Sequence, residues 1–131
     1  MSHPLNFRAL AVGLVALAIA GGVATAFSAD AGGPAKGDPA KGKAIFNVKC
    51  IACHKTDGSG GVKLTGNPTP NWKDPKTWAD PKRKAGDAYL RDCITNGKLP
   101  SGMIAWGKTG QLKPADISNV IAYIHVLAGR K

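Results

Sequence analysis

Two thiols and an imidazole stand within five residues of one another, in Cys50-Ile51-Ala52-Cys53-His54. On a helix, positions i, i+3 and i+4 share a face, so these three side chains can meet a single flat group or a metal ion. Three chemistries use a C-x-x-C pair. A redox dithiol sits in a βαβ setting, and no such alternation is readable along this chain. A zinc site takes four ligands. No second C-x-x-C or H-x-x-x-H pair exists here, so zinc would have to recruit Cys93 or His125 from distant segments. The third chemistry is covalent haem attachment, in which each thiol becomes a thioether and the imidazole ligates the iron.

A haem iron has a second axial position. Met1 and Met103 are the only methionines, and Met103 lies in the Gly- and Pro-rich stretch Gly97 to Gly107. A single Met is ordinarily core filler. Met103, however, sits in a loop downstream of C-x-x-C-H with no rival soft donor, which makes it the candidate distal ligand opposite His54. A thioether there favours ferrous iron and raises the potential. His125 falls beside an apolar helical stripe and reads as a boundary residue, and His3 is inside the leader. Cys93, on an apolar helix face, reads as a buried free thiol behaving as a small hydrophobe.

The N-terminus suits an exported chain. Arg8 precedes an apolar stretch from Ala9 to Phe27, and Ala24-Thr25-Ala26 offers a small-x-small cleavage pattern. Residues 1–26 are therefore expected to be a secretory signal peptide. The alternative is an uncleaved membrane anchor, since nineteen residues just suffice to span a bilayer. Residues 27–37 read as a flexible linker and 38–131 as one domain. The chain carries 18 Lys and Arg against 8 acidic residues, all of them Asp, for a net charge of +10. Such an excess favours an acidic partner or an anionic surface. Export argues against nucleic acid.

Three helices must position the motif. The first opens at Asp38-Pro39, an N-cap with Pro at the first helical position, and is expected to run to His54 with Ala40, Ala44, Ile45, Val48 and Ile51 facing a core. The second covers about Asp87 to Asn96, with Leu90, Cys93 and Ile94 on one face and Gly97 as its stop. The third starts near Pro114 and ends before Gly129. Its stripe is Ile117, Val120, Ile121, Ile124 and Leu127, with Asp116, Ser118 and Asn119 off it. Between the first two lies a Gly- and Pro-rich loop, 55–85, that nevertheless contains Trp72 and Trp78. Three short helices would not organise so long a loop without another bulky apolar group.

On these residues the chain resembles class I cytochromes c, and among them the small bacterial domains similar to the haem subunit of cbb3-type oxidases. The resemblance covers about residues 38–128. It rests on the C-x-x-C-H motif, Met103, Gly42 and Phe46 ahead of Cys50, and Tyr123 in the last helix. It implies an all-α class I cytochrome c fold, three to five short helices around one covalent haem c. It also implies that the first and last helices cross at Gly42, where a glycine permits close approach. Thr69-Pro70-Asn71-Trp72 is similar to the family's Pro-Asn-Leu segment, so Pro70, with Pro68 as a rival, is expected to accept a hydrogen bond from His54. Trp106 resembles the aromatic that lines the haem pocket after the distal Met. Ile104 stands where the family often has Pro, so no proline stiffens the loop after Met103.

The expected function is single-electron transfer by an exported, non-enzymatic monohaem carrier in the bacterial periplasm. Its partners would be a protein donor and acceptor with acidic docking surfaces; Lys49, Lys55, Lys98 and Lys108 read either as a docking ring that steers them or as a generic solvated basic surface. Membrane association is expected only if the N-terminal segment is retained. The competing readings are a subunit of a larger membrane redox complex, a haem enzyme or gas sensor with a labile Met103, and a non-haem metal or interaction domain.

Overall fold

The computed structural model describes residues 36–81 and 86–130, so the expected signal peptide and nearly all of the linker lie outside the described residues. Five α-helices follow in order: α1 Pro39–Lys49, α2 Ile51–His54, α3 Pro75–Ala79, α4 Asp87–Asn96 and α5 Pro114–Leu127, with a 3-10 turn at Leu99–Ser101. Among the described residues there is no strand, only an isolated antiparallel bridge between Lys98 and Met103. No described helix is long and apolar enough to cross a membrane.

The helix starts follow from capping chemistry. Asp38 accepts from the backbone N–H groups of Ala40 and Lys41, and Pro39 supplies a preset φ where no N–H is needed. The same device begins α3, where Asp74 accepts from Lys76 N–H ahead of Pro75. This short helix lies inside the stretch expected to be all loop. The helix expected to run unbroken to His54 bends at Cys50, whose φ of −117° divides α1 from α2. The hydrogen bonds Cys50 N–H to Phe46 C=O and His54 N–H to Cys50 C=O, both 2.9 Å, carry the chain across the bend.

The core sits where α1 crosses α5. The stripe expected on α1 is corrected: Ala40 and Ala44 are exposed, and Val48 is 80% exposed. The buried face is Gly42 and Phe46, with Ile45 partly covered. A Cβ on Gly42 would overlap the Asn119 carbonyl, so the two backbones approach as closely as only glycine allows. Phe46 is fully buried and meets Tyr123 edge-on at 5.3 Å and Trp72 at 5.7 Å between ring centroids.

On α5, Ile117, Val120, Ile121 and Ile124 are buried as the periodicity demands. Two residues expected off that stripe are nevertheless engaged. Ser118 is buried and accepts from Arg91 of α4 at 2.9 Å, and the Asn119 side chain accepts from Asp38 N–H at 2.8 Å. The reason is that α5 has two neighbours, α1 on one flank and α4 on another, so an amphipathic stripe understates its covered surface.

Replacing Gly42 by Ala is expected to lower the unfolding free energy of the intact protein by about 2–3 kcal/mol through overpacking. Val48→Ala, on the exposed face, should change it by less than about 0.5 kcal/mol. Denaturant titrations check this, and equal effects would contradict the α1–α5 contact described.

Candidate functional site

The proximal motif occupies the hinge between α1 and α2. Cys50 is the C-cap of one helix and the N-cap of the next, and a single turn places Cys53 and His54 beyond it. All three cysteines are free, with Cys50 and Cys53 half-buried and Cys93 fully buried in α4. Burial pushes the Cys50 thiol up to about 11 despite the lowering influence of Lys49. Both motif thiols are therefore available, and nothing ties them to each other.

His54 is the most constrained of the group. Its ring lies nearly parallel to the Trp72 indole, with 4.6 Å between centroids and 11° between planes. Burial holds its pKa down to about 4, so the imidazole is neutral at neutral pH and keeps a lone pair. Its Nδ1 is buried with no hydrogen-bond partner. The bond expected from His54 to the Pro70 carbonyl is thus not formed. That carbonyl instead lies against Gly60, where a Cβ would overlap it.

A residue that sequence reasoning passed over anchors this region. Thr69 donates its hydroxyl to the Cys53 carbonyl at 2.7 Å and accepts from Val62 N–H at 3.0 Å. Thr69 looks like any loop threonine in the sequence, and only its adjacency to Pro70 hinted at a role. Trp72, conspicuous as a large apolar residue in a loop, is 5% exposed and part of the core. Its carbonyl accepts from Trp78 Nε1 at 2.7 Å, which fastens α3 to the site.

On the distal side, Met103 and Trp106 are half-buried and pack against the same core. The loop lacks a proline after Met103, yet it is closed by paired backbone bonds. Lys98 N–H donates to Met103 C=O at 3.0 Å, and Met103 N–H donates to Lys98 C=O at 3.1 Å. Lys49 extends its ammonium over the Trp106 ring at 4.9 Å, and Lys98 lies over Tyr89 at 4.8 Å. Of the four lysines expected to ring the site, these two are half-buried while Lys55 and Lys108 are exposed.

The residues left outside the site have other occupations. His125 contacts Asp87 at 2.6 Å and stacks on Trp78, which ties the end of α5 to α4 and α3. Cys93 belongs to the buried face of α4. Among the described residues no three His, Cys, Asp or Glu side chains converge as a metal site would require. The donor set at the motif does fit a haem c. It offers two uncrosslinked thiols one helical turn apart and a half-buried imidazole with an unpartnered nitrogen, while the Met103 thioether, half-buried on its closed loop, packs against the same core cluster as Cys50.

Comparisons with known proteins address the family of the chain. Residues 37–124 match the family described as cytochrome c oxidase, cbb3-type, subunit III. The cbb3-type cytochrome c oxidase subunit FixP of Bradyrhizobium diazoefficiens is 35% identical over 94 residues, covering 72% of this chain and 29% of that subunit. Cytochrome c-555 of Chlorobaculum thiosulfatiphilum is 31% identical over 88 residues, covering 66% of this chain and 93% of the relative. This chain therefore spans under a third of the cbb3 subunit but nearly all of the small cytochrome. The solved structure of cytochrome c6 from the diatom Phaeodactylum tricornutum superposes with a TM-score of 0.53 at 28% identity, covering 71% of this chain and 97% of that one. The chain belongs to the cbb3-type subunit III family and is a c-type cytochrome of class I fold.

Proposed function

We propose that this chain carries single electrons as an exported monohaem cytochrome, with its haem c bonded to Cys50 and Cys53 and ligated by His54 and Met103. The observation that carries the reading is the half-buried His54 imidazole, its Nδ1 without a hydrogen-bond partner, on the same turn as two free thiols. Bound there, the group would supply an iron that takes up and releases one electron. The protein's part is to hold and tune it. Thioether bonds from Cys50 and Cys53 would prevent loss of the cofactor outside the cell. Stacking on Trp72 fixes the His54 ring, and the Met103 thioether would favour the reduced metal. The backbone bridge at Lys98 and Met103 keeps that donor in place, which disfavours a role as a gas sensor or peroxide-binding enzyme.

The distal loop also presents a surface suited to a partner. Leu99 is 76% exposed and Ile104 46% exposed on either side of Met103 in the sequence, and Lys55 and Lys108 are exposed cations. A redox partner with an acidic rim around an apolar patch would complement it. Periplasmic delivery through residues 1–26, with 38–131 as the working domain, completes this reading. The similarity to FixP favours a second reading, a haem module working within a membrane oxidase complex. Fractionation separates the two, since a free carrier is released with the periplasm and a module stays with the membranes.

Met103→Leu is expected to leave haem attachment and the Soret band intact while abolishing the iron–thioether charge-transfer band and lowering the reduction potential. Absorption spectra and potentiometry check it, and a retained band would remove Met103 as ligand. Electron exchange with an acidic partner should slow at least about tenfold as ionic strength rises from low to physiological, because screening shortens the reach of the lysine field. Stopped-flow rates that ignore salt would remove electrostatic steering.

A further inference from the structure

The Met103 loop is gripped from a second direction. Leu64 to Gly66, in the segment between α2 and α3, lies on the turn formed by Pro100 to Gly102. Thr65 Oγ1 donates to the Pro100 carbonyl at 2.9 Å, thirty-five residues away along the chain. Gly66 has φ +59°, and a Cβ there would sit 2.8 Å from the same carbonyl oxygen. The Leu64 side chain covers Gly102, where a Cβ would lie 3.1 Å from Leu64 Cδ1. Leu64 remains 59% exposed, so hydrophobic burial alone does not account for its position.

The root of the same segment is tied to the proximal motif. Val62 N–H donates to Thr69 Oγ1 at 3.0 Å, Thr69 N–H donates to Val62 C=O at 2.9 Å, and Thr69 Oγ1 donates to the Cys53 carbonyl at 2.7 Å. Residues 62–69 thus form a loop pinned at its base to the Cys50–His54 turn and touching the distal loop at its tip. From Pro100 the connection to Met103 is short. The 3-10 turn Leu99–Ser101 lies between Lys98 and Met103, whose backbones are paired to each other. Holding the Pro100 carbonyl therefore restrains the same closed turn that presents the Met103 side chain.

We propose that the Val62–Thr69 loop is a clasp joining the proximal motif to the distal loop, with Thr65 as a positioning residue for Met103. The clasp rests on Met103 being the distal ligand. It accounts for a glycine at position 66, in a left-handed conformation beside a carbonyl, where any side chain would force the two loops apart. It also supplies the stiffness that a proline after Met103 would otherwise give.

The test uses the haem-loaded ferric protein and imidazole as an external ligand. Displacement of the thioether is followed through loss of the iron–thioether charge-transfer band. Thr65→Val, which removes the hydroxyl from an exposed site at nearly constant shape, is expected to speed displacement about fivefold, the worth of one net hydrogen bond. Thr65→Ser, which keeps a donor, should displace at the unsubstituted rate. A Thr65→Val protein with the unsubstituted rate, or two variants equally fast, would overturn the clasp while leaving Met103 as ligand. An unsubstituted protein with no such band would overturn the ligand assignment and the clasp together.

Discussion

A missing side chain fixes the geometry of this protein. At Gly42 the backbone of α1 lies against the Asn119 carbonyl of α5 with no room for a Cβ. One turn later Phe46, fully buried, meets Tyr123 and Trp72. Aromatic pairs of this kind add about 0.5–1.5 kcal/mol each beyond their burial. Together they lock the direction of α1, and α1 ends where the C-x-x-C-H motif begins. The position of Cys50, Cys53 and His54 is thus inherited from a helix crossing eight residues upstream of the first thiol.

The two sides of the site are held by different means. The proximal side is helical, continued through Cys50 by backbone hydrogen bonds and backed by the Trp72 indole. The distal side has no helix to support Met103, only a 3-10 turn closed by paired bonds between Lys98 and Met103. With His54 and Met103 as the proposed ligands, a carrier that exchanges electrons repeatedly would work best if neither had to move, so the loop would need the stiffness that a helix has by construction. Thr69, bonded to Cys53, and Thr65, bonded to Pro100, link the two sides through one short segment of chain.

Much of this was legible in the residues, for identifiable reasons. The Asp87–Asn96 helix and the stripe on α5 follow from strong periodicity with clear stops at Gly97 and Gly129. The stripe assigned to α1 failed because Ala and Val were weighed by hydrophobicity, whereas the decisive contact is made by a glycine. Only the family resemblance pointed to Gly42 and Phe46. The start of α3 carries the same Asp-Pro signature as α1, at Asp74-Pro75, but the surrounding glycines and prolines concealed it. The Pro70 bond to His54 is not formed, since the imidazole packs face-on against Trp72 and its Nδ1 is unpartnered. Thr65 left no trace in the sequence and Thr69 only its place beside Pro70, because contacts between loops far apart in the chain have no period to read.

The mass of the denatured, reduced chain after thiol alkylation tests the covalent assignment most directly. With a haem bonded through Cys50 and Cys53, the chain gains the mass of one haem that survives denaturation, and only Cys93 of the three cysteines is alkylated. A chain with no added mass and three alkylated cysteines would contradict it.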